Sequence, residues 1–344
     1  MISGATYYVM NGGISPSGYT NKYNADANTI SISEGGNSCG FVNMNTEKFW
    51  SGGHNYTLNS PSVDSYFLFS LLKYKEKEIM ALRVGSGLPN IQKSALENFA
   101  VHITRNANEQ IKIGSFLRKL DDFISLQRQK VELLKKYKRG VIKEFLTPQT
   151  CPIKNAVWSK ATIGELGTFV KGAPLSKADI SDEGTPFILY GELYTTYGEV
   201  INKVVRKTQR SVDNVYLSRV GDVLIPTSGE TPEEISTASC VMVSDVILAG
   251  DLNIFRTSIV DGRIMSYVLN HIANGNIARI AQGKSVVHIQ ASEISKISIS
   301  YPDEITQKQL IAIFDGISNR INLAEEALAQ MTSLKKSLMQ KLFI

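Results

Sequence analysis

Cysteine is scarce in this 344-residue sequence, which contains only Cys39, Cys151 and Cys240. So few thiols, so far apart, exclude a disulfide framework and do not form a zinc-binding motif. Long apolar runs are also lacking, because none approaches the roughly 20 residues that a membrane-spanning helix requires. The first residues do not have the charged-then-apolar pattern of a signal peptide. The sequence therefore predicts a cytoplasmic protein with no membrane association and no bound metal.

Catalytic motifs are missing as well. The sequence has no phosphate-binding Gly-x-x-x-x-Gly-Lys loop, no complete dinucleotide-binding glycine pattern and no His-Glu-x-x-His motif. The tetrapeptide Asn-Pro-Pro-Tyr, typical of amino-methyltransferases, is also absent. Carboxylates at Glu230, Glu233 and Glu234 could form an acid–base pair, but such pairs are common in loop-rich proteins. We therefore predict that the chain is not itself an enzyme; an enzyme using these carboxylates would have to show turnover by the isolated chain.

Charge and length give only a broad framework. The formal net charge of +5 is too small to identify a polyanionic partner by itself. The hydrophobic fraction of 43% is ordinary for a folded protein, and the length favours two domains. Basic residues crowd the end of one predicted helix, where they suit either phosphate binding or a solvated face: Lys135, Lys136, Lys138, Arg139 and Lys143.

Two segments carry the same helical pattern of apolar residues. In the first, apolar residues recur at steps of three and four, with gaps at Gln127 and Lys138. They are Ile113, Leu117, Leu120, Ile124, Val131, Leu134, Val141 and Phe145. An offset of 197 residues places the second pair of gaps on Ala324 and Lys335. It gives the second set, Leu310, Phe314, Ile317, Ile321, Leu328, Met331, Leu338 and Leu342. This ungapped match predicts a tandem repeat.

The alternating spacing is that of a coiled-coil seam, in which each helix buries one narrow apolar stripe against a partner helix. The first helix would run from Glu109 to Leu146, a length of about 57 Å, and would end at Thr147-Pro148. We predict that the two helices pair antiparallel. The alternative is that each helix lies separately on its own domain.

The similarity continues upstream of each helix. Asn90-Ile91-Gln92 matches His288-Ile289-Gln290 at an offset of 198, and Ser65–Leu68 resembles Ser266–Leu269 as the start of a short helix. In each copy a strand also runs into a glycine turn. The fold class predicted is therefore α+β, with two tandem strand-rich domains joined by two long helices that form an antiparallel coiled coil. The domains are expected at 1–107 and 149–303, and the helices at 108–148 and 304–344.

The two copies differ at their starts. The second copy has a segment, Trp158 to Thr185, before the strand Pro186–Tyr190. The first copy opens almost directly on the equivalent strand, Tyr7–Met10, so about 30 residues are expected to be missing there.

Lys138 and Lys335 interrupt the two apolar seams at equivalent positions. A lysine in a seam can select the register of the helices at some cost in stability. We therefore expect these lysines to specify the antiparallel pairing. Replacing both with leucine is expected to raise stability while permitting mis-registered or oligomeric species.

Two loops rich in glycine, tyrosine and asparagine are candidates for DNA contact, at residues 11–24 and 190–198. Glycine lets the backbone approach a groove closely, and Tyr, Asn and Lys supply donors for phosphates and base edges. The same composition is also that of ordinary turns, so both interpretations stay open.

Over nearly its whole length the sequence resembles the specificity subunit of type I restriction–modification systems. The resemblance is strongest where Glu109-Gln110-Ile111-Lys112-Ile113 leads to Leu120-Asp121-Asp122, which looks like the first conserved region of that family. Residues 32–42 and 190–194 look like segments of its target-recognition domains. The resemblance implies that each domain reads one half of a split double-stranded DNA target. It also implies that the antiparallel helices fix the spacer between the half-sites.

The resemblance further implies partner proteins. Two methyltransferase subunits are expected to dock on the helices, and a restriction and translocation subunit is expected to join the full complex. S-adenosylmethionine, ATP and Mg²⁺ would then be used by those partners, with no cofactor in this chain. The residues that we expect to contact DNA are Ser17, Tyr19, Asn21, Lys22, Glu34, Asn37, Lys171, Lys177, Tyr190, Glu192, Tyr194, Thr196, Tyr197, Ser228 and Lys284.

A non-catalytic adaptor, with two protein-binding modules on a coiled-coil spacer, is the alternative function. Salt-sensitive binding of a bipartite duplex in the presence of a methyltransferase distinguishes DNA recognition from this alternative.

Overall fold

The computed structural model describes residues 5–59, 62–85, 87–281 and 287–343. The chain forms two units. Unit 1 consists of Met1–Val131 with Leu323–Ile344, and unit 2 consists of Glu132–Asn322.

Unit 1 has mixed secondary structure, and its strands form two three-stranded sheets. The strands are β1 (Tyr7–Met10), β2 (Gly18–Thr20), β3 (Thr29–Ser33), β4 (Val42–Asn45), β5 (Trp50–Ser51) and β6 (Asn55–Leu58). The helices are α1 (Ser65–Tyr74), α2 (Glu76–Ala81), α3 (Lys93–Glu97) and the first part of α4 (Ala107–Phe145). The sheet orders are β2-β1-β5 and β4-β3-β6. The main core lies between the second sheet and the helices and contains Ile30, Ile32, Val42, Leu72, Ile79 and Ile91.

Unit 2 is larger and richer in strands. Its strands are β7 (Trp158–Thr162), β8 (Gly167–Lys171), β9 (Thr185–Leu189), β10 (Val200–Ile201), β11 (Arg206–Thr208), β12 (Asp222–Pro226), β13 (Ser228–Gly229), β14 (Ser239–Val241), β15 (Ile247–Ala249), β16 (Leu252–Thr257), β17 (Val287–His288) and β18 (Ser298–Pro302). Its α-helices are α5 (Ile163–Leu166), α6 (Glu192–Thr195), α7 (Pro232–Ile235), α8 (Gly262–Val268), α9 (Asn274–Ile280), α10 (Ala291–Ile294) and the first part of α11 (Glu304–Leu342). Two 3-10 turns (Lys177–Asp179 and Asn214–Tyr216) and a π-helical turn (Leu269–Ala273) complete it.

The sheets of unit 2 surround a large apolar core. The main sheet has the order β10-β14-β12-β16-β8, a second has the order β11-β9-β15, and β18 pairs with β7. The main core packs strands of the main sheet and the β18–β7 pair against α5, α8 and both long helices, with Val223, Phe255, Leu269, Ile294 and Phe314 fully buried. The β11-β9-β15 sheet contributes to two other apolar clusters.

A buried glutamine makes the same two hydrogen bonds in each unit. In unit 1, the Gln110 side chain accepts from the Asp64 N–H (3.1 Å) and donates to the Thr104 carbonyl (2.7 Å). In unit 2, Gln307 accepts from the Asp261 N–H (2.7 Å) and donates to the Pro302 carbonyl (2.8 Å). Both glutamines lie in the first turn of a long helix, so the same three segments are joined in each unit.

The helix caps correct one detail of the sequence comparison. Asp64 caps α1 by accepting from the Phe67 N–H, and Asp261 caps α8 by accepting from the Arg263 N–H. The counterpart of Ser65 is therefore Gly262, at the offset of 197. The expectation that Ser266 begins the second short helix is wrong by about one turn, because the Asp261 cap starts that helix earlier.

The sheets repeat as well, with one difference. The parallel pair β1 and β5, flanked by antiparallel β2, matches β9, β15 and β11. Strands β4-β3-β6 match β14-β12-β16, because the middle strand is antiparallel to both neighbours in each sheet. In unit 2, β16 also pairs with β8 on its other side. In unit 1, β6 is an edge strand among the described residues.

Helices α4 and α11 each have 39 residues and pack together in both units. In unit 1, Gln127 donates to the Ala324 carbonyl (2.8 Å), and Leu117 packs in one cluster with Met339 and Phe343. Earlier residues of α4 therefore meet later residues of α11, as antiparallel helices require. In unit 2, Val141 and Leu310 share the main core. The predicted α+β fold with two paired long helices is confirmed.

The apolar seams face inward. Of the sixteen predicted seam residues, only Leu342, at the end of α11, is exposed (40%). The others are buried or half-buried, among them Ile113, Leu117, Leu120, Ile124, Val131 and Leu134 on α4, and Leu310, Phe314, Ile317, Ile321, Leu328 and Met331 on α11. Outside the seam, the helices also carry exposed apolar side chains, including Phe116, Phe123 and Leu126 on α4. Within the described ranges, no helix combines the length and the apolar character needed to cross a membrane.

The two seam lysines have different partners. In unit 1, Lys335 of α11 forms an ion pair with Asp121 of α4, which also accepts a hydrogen bond from the Tyr66 hydroxyl (2.9 Å). In unit 2, Lys138 of α4 lies 3.0 Å from the carboxylate of Glu199, outside both long helices. We expected both lysines to set the register of the long helices. Of the two, only Lys335 contacts the other long helix directly.

Glu199 is an ionised carboxylate held between two basic side chains. Its other oxygen lies 3.0 Å from Nε2 of His271. Burial acts to raise the pKa of Glu199, but the His271 hydrogen bond and the charge of Lys138 outweigh burial and lower the pKa to about 2. The carboxylate therefore stays charged at neutral pH and ties α4 to the strand-rich part of unit 2.

Candidate DNA interface

In unit 1 the candidate residues Ser17, Tyr19, Asn21 and Lys22 lie on β2 and its flanking turns. The Ser17 N–H donates to the Val9 carbonyl (2.9 Å), which starts the antiparallel pairing of β2 with β1. Because side chains alternate along a strand, Tyr19 points away from the sheet and is 52% exposed. Asn21 and Lys22 follow in an exposed turn. All four residues are therefore exposed within one short stretch of the chain.

A lysine that the sequence analysis did not identify lies beside this surface. Nζ of Lys48 donates to the Tyr23 hydroxyl (2.9 Å) and lies 4.2 Å from the centre of the Tyr23 ring. The hydrogen bond to Tyr23 raises the pKa of Lys48, so the ammonium stays charged. The Tyr7 ring packs against Tyr23 at 5.0 Å between ring centres. The bridge between Ala25 and Phe49 brings these residues together, and no local sequence pattern signals it.

The candidate Glu34 follows β3 directly, and the candidate Asn37 lies in the glycine-rich loop that comes next. Glu34 is half-buried, accepts a hydrogen bond from the Tyr56 hydroxyl (3.1 Å) and lies 3.4 Å from Nδ1 of His54. Asn37 is exposed. The next residue, Ser38, donates to the Gly12 carbonyl (2.6 Å), which ties this loop to the turn after β1.

In unit 2 the segment 190–198 contacts a basic segment, residues 203–207, that leads into β11. Its residue Glu192 is only 8% exposed, accepts from the Leu189 N–H (3.1 Å) and pairs with Nε of Arg206 (3.0 Å). The half-buried Tyr197 accepts a hydrogen bond from the Val205 N–H (3.1 Å). Side chains of this segment therefore hold residues 203–207, which lead into β11 and carry the exposed Lys203 and Lys207, in a fixed position.

The other unit 2 candidates differ in exposure. Lys171, Lys177 and Thr196 are exposed, whereas Tyr190 and Tyr194 are half-buried. Ser228 is buried and donates to the carboxylate of Asp251 (2.7 Å). Lys284 lies outside the described residues.

Arg210 is an exposed cation that the structure places next to one of these candidates. Its Nε lies 2.8 Å from the carboxylate of Asp179, at the end of the 3-10 turn that contains Lys177. Lys177 and Arg210 therefore lie on neighbouring segments. The basic residues of β11, Arg206 and Lys207, lie a few residues before Arg210 in the chain.

Among the carboxylates Glu230, Glu233 and Glu234, the Glu234 side chain has a structural role. The Glu234 carboxylate accepts from the Glu230 N–H (2.9 Å) and takes part in the capping box of α7. Burial raises the pKa of the Cys39 thiol and raises the pKa of the Cys240 thiol to about 12. In the part of the chain that the structure describes, no group of three or more His, Cys, Asp or Glu side chains could hold a metal ion.

A family model matches most of the chain. It describes the type I restriction modification DNA specificity domain and matches residues 3–136 and 155–333, so that each match falls largely on one copy of the repeat.

Individual relatives agree with this match. The chain is 31% identical over 195 residues to a putative type I specificity subunit of Mycoplasma genitalium, covering 54% of this chain and 50% of that protein. A similar putative subunit of Mycoplasma pneumoniae is 29% identical over 195 residues, with 54% and 52% covered. The specificity subunit of the type I restriction enzyme MjaVIII of Methanocaldococcus jannaschii is 22% identical over 311 residues, with 81% and 69% covered. The chain spans about half the length of the two mycoplasma relatives.

The fold is also similar to a solved structure. The crystal structure of the type I restriction-modification S subunit from M. genitalium superposes with a TM-score of 0.70 at 20% identity, covering 99% of this chain and 89% of that chain. At this identity the similarity concerns the fold alone. The family match over both copies of the repeat is decisive: the chain belongs to the type I restriction–modification DNA specificity family.

Proposed function

We propose that this chain is the DNA-specificity subunit of a type I restriction–modification complex and that each unit reads one half of a bipartite duplex target. The observation that carries the proposal is the family match to both copies of the repeat, 3–136 and 155–333. The matching hydrogen bonds of Gln110 and Gln307 support a shared role for the two units. The domain limits that we propose are 1–107 and 149–303, with helices at 108–148 and 304–344.

In unit 1, the surface on β2 and its turn makes the proposed DNA contact. Lys22 and Lys48 attract phosphates, while Tyr19 and Asn21 reach the base edges. Glu34 has a supporting role, because its carboxylate is engaged by Tyr56.

In unit 2, the contact comes from Lys171, Lys177, Thr196 and the basic residues of the segment 203–207. The buried Glu192 positions Arg206 rather than reaching the DNA, and Ser228 is held by Asp251. Half-buried Tyr190, Tyr194 and Tyr197 complete the support of this surface.

The salt dependence of DNA binding tests the unit 1 contact. In a complex with the cognate methyltransferase, the double variant Lys22→Ala with Lys48→Ala is expected to reduce the slope of log affinity against log salt concentration by about two, because two phosphate contacts are lost. Lys77→Ala removes an equally exposed lysine from α2 and serves as the matched control. An unchanged slope in the double variant would place the DNA elsewhere.

We also propose that the exposed apolar face of α4 docks a methyltransferase subunit. In unit 1, Phe116, Phe123 and Leu126 follow helical spacing on α4 and are 50%, 61% and 60% exposed. Large apolar residues at such exposure are typical of protein interfaces. Chemistry that needs S-adenosylmethionine, ATP or Mg²⁺ then belongs to partner subunits, including a restriction subunit where one is present.

Copurification with the methyltransferase tests this docking surface. Phe123→Glu is expected to weaken the complex by at least about tenfold, because it removes an aromatic anchor and buries a charge. Gln129→Glu adds the same charge at an exposed polar position of α4 and is expected to leave the complex intact. Equal losses in both variants would indicate a general charge effect and would refute the assignment.

A further inference from the structure

The sheet β2-β1-β5 of unit 1 has one buried face and one open face. Met10, Ala25 and Phe49 are buried on one side. Because side chains alternate along a strand, Val9 faces the other side, and its partner in β5 is Trp50. Trp50 is 37% exposed and Val9 is only half-buried. The open face of a sheet normally carries polar residues, so this face is a candidate binding surface.

Two tyrosines and a lysine extend the open face. Tyr7 lies two residues before Val9 on β1, so both side chains point to the same side. The Tyr7 ring packs against the ring of Tyr23, which is 43% exposed, with 5.0 Å between ring centres. Nζ of Lys48 lies 4.2 Å from the centre of the Tyr23 ring. We call these residues the aromatic face: Tyr7, Val9, Tyr23, Lys48 and Trp50.

The middle of the aromatic face has room for a flat ligand. Gly18 of β2 pairs with Val9 on the side opposite Trp50. Apart from the chain neighbours of Gly18, no heavy atom lies within 4 Å of the point that a Cβ of this residue would occupy. The surface over Val9 and Gly18 is therefore open next to the Trp50 ring.

Unit 2 covers the equivalent face. Ile188 and Leu248 hold the places of Val9 and Trp50, because each pair comes just before the last pair of the two parallel strands. Both residues are fully buried in one apolar cluster with Leu193 and Ile201.

The length of one connection explains the difference between the units. In unit 2, the 16 residues 190–205 between β9 and β11 include α6 and β10, which supply Leu193 and Ile201. In unit 1, the equivalent connection from β1 to β2 is the seven residues 11–17, which contain no helix or strand. A short internal loop therefore leaves the aromatic face uncovered.

The composition of the aromatic face favours a nucleobase with its phosphate. Aromatic side chains on an open sheet stack on unpaired bases, and a lysine beside them attracts the phosphate. Lys48 also lies 3.7 Å from the carboxylate of Asp26, but Asp26 is 80% exposed, so this contact is readily exchanged for a phosphate. A double helix is a poor ligand for the rings, because its bases stack on each other and present only their edges.

We propose that the aromatic face of unit 1 binds an unpaired nucleobase of single-stranded or locally opened DNA. The base stacks on the ring of Trp50 or Tyr23, and Lys48 holds the adjacent phosphate. Enzymes that modify a DNA base take it out of the stack, which supplies unpaired bases in a methyltransferase complex. This source of the ligand rests on the proposed function, whereas binding of a single strand by the chain itself does not.

The fluorescence of Trp50 reports directly on this face. A Trp158→Phe background leaves Trp50 as the single tryptophan. Titration of the full chain with an oligothymidylate of about eight nucleotides, a length typical of such surfaces, is expected to quench Trp50 saturably. An abasic strand of the same length keeps the phosphates and is the matched control. It is expected to bind at least about fivefold more weakly and to leave the emission unchanged, because stacking is lost.

A variant tests the second ring. Tyr23→Leu is expected to weaken oligothymidylate binding at least about fivefold without changing the thermal unfolding of the chain, because Tyr23 is largely exposed. Tyr137→Leu removes a tyrosine of α4 that is 59% exposed in unit 2, and it is expected to leave binding unchanged.

Photo-cross-linking locates the base on the unaltered chain, where misfolding is not a concern. An oligothymidylate with one iodouracil at its centre is irradiated in the complex, and the cross-linked peptides are identified by mass spectrometry. Cross-links are expected at Tyr7, Tyr23 or Trp50.

Three results would overturn the proposal. The first is equal binding of the oligothymidylate and the abasic strand, or binding without quenching, which means that only phosphates are bound. The second is cross-linking confined to residues outside the aromatic face. The third is tighter binding of an oligouridylate than of the oligothymidylate, which makes RNA the ligand. These measurements use neither the methyltransferase nor a target duplex, so failure of the proposed function is seen separately, in the salt dependence of duplex binding.

Discussion

Replacing Lys138 with leucine is expected to destabilise unit 2, although leucine would complete the apolar seam of α4. The Lys138 ammonium lies 3.0 Å from Glu199, and the two side chains are only 14% and 23% exposed. Removing one partner of a buried ion pair costs about 3–5 kcal/mol. The low end applies here, because His271 keeps its contact with Glu199. Leucine recovers about 1 kcal/mol of apolar burial, since the stem of Lys138 is already covered. The net loss is therefore about 2 kcal/mol.

Tryptophan fluorescence can follow this loss in unit 2 alone. The chain has two tryptophans, Trp50 in unit 1 and Trp158 in unit 2, so a Trp50→Phe background reports on unit 2. A loss of 2 kcal/mol is expected to lower the urea midpoint by about 1 M for a slope of about 2 kcal/mol per M. The exposed neighbour Lys136 provides the control Lys136→Leu, which is expected to change stability by less than about 0.5 kcal/mol.

The double variant Lys138→Leu with Glu199→Gln isolates the cause. It is expected to recover much of the lost stability, because no unpaired carboxylate remains. A midpoint for Lys138→Leu equal to or above that of the background protein would refute the reasoning. It would instead support the view, suggested by the seam pattern alone, that leucine stabilises the helix.

Three further predictions concern stability and spacing. The folded-state pKa of Glu199 is about 2 against an ordinary value of 4.5, so its contribution is present above pH 4.5 and is lost as the pH falls towards 2. The stability gap between the wild type and Glu199→Gln should therefore shrink over that range in urea unfolding, and a constant gap would contradict this assignment. Gln307→Ala should cost about 2–4 kcal/mol in the Trp158 assay by leaving the Asp261 N–H and the Pro302 carbonyl without their partner. An effect below 1 kcal/mol would show that water replaces the side chain. Inserting one heptad into both α4 and α11 adds about 10 Å, so methylation mapping should show a spacer about three base pairs longer with unchanged half-sites. Altered half-sites would contradict the role of the helices as a spacer.

The long helices were predictable from the sequence because their signal is local and periodic. Steps of three and four place Leu117 and Ile124 on one face, and the absence of proline permits a continuous helix. In the structure the two long helices span Ala107–Phe145 and Glu304–Leu342. The offset of 197 between the seams also predicted the repeat that the hydrogen bonds of Gln110 and Gln307 show.

Contacts between distant segments were not predictable. Glu199 pairs with Lys138 across 61 residues of sequence, and Lys48 meets Tyr23 only because a strand bridge joins their neighbours. Matching by residue type also failed at Ser266, where a capping aspartate rather than the Ser-Tyr pair fixes the start of the helix. A single sequence does not specify which polar side chains are engaged inside a unit, as Glu192 and Ser228 are, and which face the solvent.

Single-molecule mapping of methylated bases tests most directly whether this chain supplies DNA specificity through two reading units. DNA is compared from cells that express the cognate methyltransferase with the wild-type chain, without it, and with the variant Tyr19→Ala plus Lys22→Ala. The account predicts methylation at a two-part target with a fixed spacer, complete dependence on the chain, and relaxed recognition of only one half in the variant. Methylation that persists unchanged without the chain, or a variant that alters both halves equally, would contradict it.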